Sequence, residues 1–195
     1  MDSLYNSKTY LFLFGFFFGS LIVLLTVMSC SGGPKNEIEY GNAGSINTDN
    51  QEKDAQFLVD ADEIHMMEIQ LGQLAQKKSS SADIKELGRS MEEQYHDSHT
   101  RLIALAKQKL VTLPTITTKK AQAAYDKLNE KSDMQFDKAY CNLMVAEHKE
   151  AVAKFEKASE NSKDHDIKVW ALATLPLIKV HLDRAIQCQK KNESL

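Results

Sequence analysis

Four long stretches of the chain return an apolar residue every three or four positions, and one polar side chain interrupts each stripe at its centre. That period belongs to the α-helix and not to the strand, so a sheet is excluded as the main scaffold. The first stretch, about Asp54 to Lys78, carries Phe57, Ala61, Ile64, Leu71, Gly72 and Ala75, with Glu68 at the centre. The second runs from Ser81, a good N-cap, to about Leu110. It carries Ile84, Gly88, Met91, Leu102 and Ala106 around Tyr95, with His99 one turn further on. The third, from Ser132-Asp133 to about Glu160, carries Cys141, Met144, Val145, Val152 and Phe155 around His148. The fourth, about Asp164 to Gln189, carries Ile167, Trp170, Thr174, Leu177, Ile178, Ala185 and Cys188 around His181. Pro176 lies inside this last helix and predicts a kink or one lost hydrogen bond there.

Short connections at Ser79–Ser81 and Asn161–Lys163 force the first pair and the last pair to run antiparallel. Between the pairs, Pro114 breaks the pattern, and a shorter helix over about Thr118 to Lys131 follows. The fold class expected is therefore all-α, an antiparallel four-helix bundle with one extra short helix. A rise of about 1.5 Å per residue sets the heights. Glu68 and Tyr95 fall ~18 and ~22 Å from their shared turn, and His148 and His181 ~21 and ~28 Å from theirs. All four central polar residues are thus expected near mid-height.

A polar group in a core needs a partner, because an unpaired one is costly. Carboxylate and imidazole together suit Zn, Cu or Fe, and bundle cores are a usual place for such ions. The candidate metal set is Glu68, Tyr95, His99, His148 and His181. The same residues can instead saturate one another as a structural network, which leaves a purely structural or interaction bundle as the alternative. A metal-dependent oxidoreductase is the third reading. A di-iron carboxylate centre fits poorly, since it needs two ExxH pairs on inward faces and the single one here, Glu93 to His96, points off its stripe. Met91 and Met144 sit one turn before central polar residues, where thioethers would suit copper but ordinary packing is the expected role. No nucleophile–base pair, phosphate loop or hydrolase signature is present, so no catalytic role is assigned.

The N-terminal end has a different character. Tyr10 to Met28 is almost continuously apolar, preceded by Lys8 and followed by Ser29-Cys30. Val27-Met28-Ser29-Cys30 resembles a bacterial lipobox, which predicts cleavage before Cys30 and acylation of its thiol. A retained transmembrane helix is the alternative. Residues 1–29 are expected to be a lipoprotein signal peptide and residues 30–51 an acylated cysteine with a flexible, Gly-, Ser- and Asn-rich tether. Residues 52–190 should form the bundle and 191–195 a tail. The expected location is the bacterial envelope, anchored in the outer membrane through Cys30 and facing the periplasm.

The formal net charge is -3, from 24 Lys+Arg and 27 Asp+Glu. No basic face emerges, so a nucleic-acid partner is not expected. Cys141 and Cys188 both face inward, but their heights differ by about five residues, or ~7.5 Å. Two buried free thiols are expected rather than a bridge.

Several segments together resemble a known family: MEIQLGQLAQKKSSSADIKELGRSM, then VTLP, then FDKAYCNLMVAEHKEAVAKFEKAS, then TLPLIKVHLDRA. In order and spacing the chain, from about Asp54 to Cys188, resembles the ferritin-like bacterial envelope family called domain of unknown function 4142. The resemblance implies a ferritin-like bundle, a secreted or lipid-anchored location, and Glu68, His148 and His181 as the characteristic core polar positions. It implies a histidine after an acidic residue on the second helix, where this chain has Gln94-Tyr95. It supplies no activity.

Overall fold

The computed structural model describes residues 43–193, all helix and short connection. Helix α1 spans Ala43–Lys78, α2 Ala82–Gln108, α3 Lys119–Asn129, α4 Asp133–Asn161 and α5 His165–Glu193. The expected signal peptide, Cys30 and most of the tether lie outside the described residues. No helix among the described residues is long and apolar enough to cross a membrane.

The all-α bundle expected from the stripes is the observed one. α1 packs along α2 and α4 along α5, and the two hairpins then meet through α1 with α4 and α2 with α5. Cross-helix pairs fix the directions. Asp62 meets His99 and Gln73 meets Glu92, so α1 and α2 are antiparallel. Lys154 meets Asp60 while His148 meets Glu68, so α1 and α4 are antiparallel too. Gln108 bonds Asp166 and Lys191 pairs with Asp83, which makes α2 and α5 antiparallel. Neighbours all run opposite ways, so α2 and α4, on one diagonal, run the same way. A simple up-down-up-down order cannot give this. The chain must cross the length of the bundle between α2 and α4, and Lys109–Ser132 with α3 does so.

Local chemistry explains the ends. α2 stops in a Schellman motif: Val111 N–H donates to the Ala106 carbonyl and Leu110 N–H to that of Lys107. Leu110 takes the left-handed position with φ 58°, where glycine is usual. Thr118 caps α3, accepting from Ala121 N–H. Ser81 and Ser132 occupy N-cap positions without a side-chain bond.

Several expectations change. α1 begins at Ala43, not near Asp54, so the last part of the expected tether is helical. An Asp49–Lys53 pair at i,i+4, 2.6 Å apart, supports that exposed extension. α5 runs to Glu193 and takes in the start of the expected tail. Pro176 does not divide it. Met67, which is not on the α1 stripe, is buried as well, because α1 has neighbours on more than one side and buries a wider face than one stripe. Cys141 and Cys188 are joined in a disulfide with Cα atoms 5.6 Å apart, against the expectation of free thiols. The α4–α5 turn sits later than estimated, with α5 starting at His165, so the two cysteines lie closer in height.

Two core clusters fill the bundle. One, around Leu71, Met91, Tyr140 and Met144, lies towards the α1–α2 turn. The other, around Leu58, Leu102, Phe155 and Ile178, lies towards the α4–α5 turn. The polar residues of interest sit between them.

Candidate metal centre

Four residues, one from each long helix, converge at mid-height. Glu68, Tyr95, His148 and His181 are all fully buried. The Tyr95 ring centroid is 5.9 Å from that of His148 and 5.3 Å from that of His181, and the two imidazoles are 5.7 Å apart. Glu68 Oε1 lies 3.5 Å from His148 Nδ1.

The hydrogen bonds fix the tautomers. His148 Nδ1 donates to the Met144 carbonyl at 2.9 Å, one helical turn back. Its Nε2 is then the acceptor for the Tyr95 hydroxyl, at 3.1 Å. His181 Nε2 donates to Gln94 Oε1 at 3.2 Å. Its Nδ1 is left as a bare lone pair, buried and without a partner. Both Glu68 oxygens are likewise buried without a hydrogen bond. Of the five such side-chain atoms among the described residues, three belong to Glu68 and His181. Orphaned polar atoms on this scale are rare in folded proteins and call for an explanation.

Electrostatics points the same way. Burial pushes the Glu68 carboxyl up to about 8; Glu147 adds to the rise and Lys120 opposes it. Burial holds His148 down at about 4 against the pull of the Met144 carbonyl. Burial, then the neighbouring His148 and Arg184, holds His181 at about 3. Tyr95 is raised well above the ordinary phenol, first by burial and then by Glu68. The Glu68–His148 contact is therefore not an ion pair near neutral pH, since the imidazole stays uncharged. Burial keeps the Glu68 carboxyl mostly protonated near neutral pH, and no cation lies within hydrogen-bond range of it.

His99 does not join this layer. Its Nε2 donates to Asp62 Oδ1 at 2.7 Å, closer to the α4–α5 end. His65 occupies the space inside it. The His65 ring donates from Nδ1 to the Ala61 carbonyl and accepts at Nε2 from Ser98 Oγ, 2.9 Å away. This second polar layer is satisfied internally. Met91 is not aimed at the imidazoles as a ligand; its sulfur accepts from the Tyr140 hydroxyl at 3.3 Å. Glu93 and His96 are exposed, and Glu93 faces Arg89 at 3.5 Å.

Stripe analysis missed Gln94, because it sits at the bundle surface one residue off the Tyr95 stripe and reaches back to His181. The signal available was that a buried histidine has two ring nitrogens to satisfy. The Asp62–His99 and His65–Ser98 pairs were missed because each residue lies beside a stripe and not at its centre. As the side chains stand, no group of three or more His, Cys, Asp or Glu among the described residues is placed to hold a metal ion. Loading would require the His148 nitrogen to part from Tyr95.

An all-α bundle with crossed hairpins and a polar, cation-poor mid-layer is the class of protein that this geometry defines. A family model described as Domain of unknown function (DUF4142) matches residues 42–188, and the chain belongs to that family. No curated protein and no solved structure matches it.

Proposed function

We propose that this protein is an envelope-anchored metal-binding bundle, which takes up one transition-metal ion between its hairpins. The observation that carries the reading is the set of orphaned buried atoms: both oxygens of Glu68 and Nδ1 of His181, in a core that pairs its other histidines. A carboxylate and a neutral imidazole lone pair are the donors that Zn, Fe or Cu prefer. A bound cation would supply the positive charge that the Glu68 carboxylate lacks. His148 and Tyr95 complete the set, His148 through the nitrogen that now accepts the phenol proton. His99, held by Asp62, is left out.

The anchoring part rests on the apolar Tyr10–Met28 run and the Val27-Met28-Ser29-Cys30 lipobox. The Cys141–Cys188 disulfide supports an oxidising compartment such as the periplasm. Acyl-chain labelling of the wild-type chain, lost in Cys30→Ser, tests it.

The metal test uses the full chain isolated from its own compartment in detergent. Elemental analysis and Co²⁺ titration, followed by ligand-field absorption, should find about one ion per chain. Glu68→Gln and His181→Ala should both lose it while keeping the helical circular dichroism of the wild type. Wild-type protein that is metal-free and takes up neither Co²⁺ nor Zn²⁺ would sink the reading in favour of a purely structural network.

A further inference from the structure

The outward face of α5 is apolar where a solvated helix would be polar. Val169, Leu172 and Val180 are 48%, 60% and 54% exposed, and Ala173 and Pro176 between them are exposed too. At helical spacing these five form one stripe about 17 Å long. It stands opposite the buried face that carries Ile167, Ala171, Ile178 and His181. The other large exposed apolar side chains among the described residues, Ile103, Leu110, Ile116 and Met134, are spread over α2, α4 and the connection after α2. A single exposed apolar residue needs no explanation, but a contiguous stripe marks a contact surface.

Charges beside the stripe are turned away from it. On one flank Lys179 pairs with Glu156 of α4 at 2.7 Å, and Lys168 donates to the Glu160 carbonyl at 3.0 Å. On the other, Asp166 is held by Gln108 and Lys109 at the end of α2. The two ends of the stripe differ in chemistry. His165 precedes it and Asp183 follows it, both exposed and neither with a hydrogen bond or ion pair among the described residues. They are 18 residues apart, five full turns, so they lie on one line along the helix. Residue 174 is midway between them, and the stripe from Val169 to Val180 is centred within one residue of it.

We infer that the outward face of α5 is the interface of a homodimer, in which α5 packs antiparallel on α5 of a second copy about a two-fold axis near residue 174. A face that meets itself must be self-complementary. The two-fold brings His165 of each copy to Asp183 of the other, and Val169 to Val180. An imidazole N–H donates to a carboxylate whether or not the ring is charged. A parallel pairing would instead set Asp183 on Asp183, and a bilayer would gain nothing from a carboxylate at one end. Ala173 and Pro176 lie nearest the axis, where a small side chain and a compact ring let two helices approach to the ~8 Å of close packing. One helix face covers less than the ~800 Å² per partner of a standard interface, so the dimer should be weak and concentration-dependent. Confinement of anchored copies to one membrane raises their local concentration, and only this gain rests on the lipobox at Cys30.

The test is cysteine cross-linking of the full chain, in its own membranes and in detergent. Cys141 and Cys188 are already joined, and the wild-type chain without an added cysteine is the blank for any bridge through Cys30. Ala173→Cys, beside the axis, should oxidise to a disulfide-linked pair of chains. Gln122→Cys, exposed on α3, should stay single. In the Ala173→Cys chain, His165→Asp sets like charges together at both ends and should slow cross-linking about tenfold, the scale of two exposed pairs per dimer. Adding Asp183→His reverses both pairs and should restore the rate, a recovery that only the antiparallel arrangement gives. Leu172→Glu should abolish the product while the helical circular dichroism stays that of the wild type. If Ala173→Cys and Gln122→Cys cross-link alike, or the swapped pair recovers nothing, the antiparallel dimer is wrong. Capture of another protein by Ala173→Cys would assign the face to that partner. Burial of the Ala173→Cys thiol in vesicles without cross-linking would assign it to the bilayer. Either result overturns the homodimer.

Discussion

The two hairpins of this bundle are held together by different means, and they treat their polar residues differently. α1 and α2 meet backbone to backbone. A methyl group on Gly88 would stand 2.6 Å from the Gly72 carbonyl oxygen and 2.9 Å from Ala75 Cβ. With the helices this close, polar side chains pair within the hairpin: Asp62 with His99, His65 with Ser98, and Gln73 and Gln76 with Glu92. α4 and α5 are instead joined by the Cys141–Cys188 bridge. Their two inward histidines look across to the other hairpin, His148 to Tyr95 and His181 to Gln94. One hairpin completes its own polar chemistry, and the other needs its partner. The orphaned atoms arise where that need meets Glu68, the member of the first hairpin with no partner of its own.

The largest effect should come from the covalent tie. The bridge spans 47 residues of sequence, a loop for which cross-linking is worth about 4 kcal/mol. Cys141→Ala with Cys188→Ala should lower the unfolding free energy by an amount of that order in denaturant titrations. If the double variant loses less than about 1 kcal/mol, non-covalent packing alone defines the second hairpin and the contrast disappears.

A pH series comes next. Glu68 is raised from 4.5 to about 8 in the fold, so it opposes folding increasingly as pH rises through that window. Its part of the stability is whole below 4.5 and lost by about 8. His65 and His148, each lowered to about 4, and His181, lowered to about 3, act in the opposite sense. Their stability is present above 6.5 and drains away as pH falls towards 4. Metal-free protein should therefore be most stable near neutral pH, losing stability on both sides. Glu68→Gln should remove the alkaline arm and leave the acid one. The gap between variant and wild type should widen by about 1.4 kcal/mol per pH unit between about pH 5 and pH 7.5. Parallel curves would mean that Glu68 is not strained in the fold.

Gly88→Ala attacks the first hairpin at its closest approach. Backbone cannot yield as a flexible side chain can, so a cost of about 2–3 kcal/mol is expected. The readout should include the Asp62–His99 and His65–Ser98 pairs, since they depend on the same helix spacing. A thermal shift with no change in the imidazole proton resonances of His65 and His99 would show that the glycine contact and the polar pairs are independent.

These contrasts also mark what the amino-acid order reveals. The stripes placed the helices and put Glu68, Tyr95, His148 and His181 at one height, because helical rise and short turns leave little freedom along the axis. They could not place Asp62, Ser98 or Gln94, which act sideways from stripe edges, where small rotations of a helix decide which neighbour is met. The disulfide was missed because a shift of the turn by one residue changes the height difference of two cysteines on antiparallel helices by twice that amount. The start of α1 was missed because Ala43 to Gln51 has polar, tether-like composition, and its helicity continues that of the packed part of α1. The diagonal arrangement was hidden as well, since stripes carry no information on whether a long connection reverses or crosses.

That crossing begins at Leu110, and there the comparison can be sharpened with the smallest effect. The Schellman motif that ends α2 puts Leu110 at φ 58°, and its side chain is 93% exposed. Leucine gains no burial there and meets the left-handed penalty of a Cβ, about 1 kcal/mol. Leu110→Gly should relieve it, and the extra freedom of glycine in the unfolded chain should offset part of the gain. A net stabilisation of about 0.5 kcal/mol, seen as a small rise in Tm, is expected. Because the joint lies outside both hairpin interfaces, the gain should add to the effects of Gly88→Ala and of the cysteine pair. Non-additivity with either one would place the crossover within that hairpin's folding unit, and the division into two hairpins would have to be redrawn at α3.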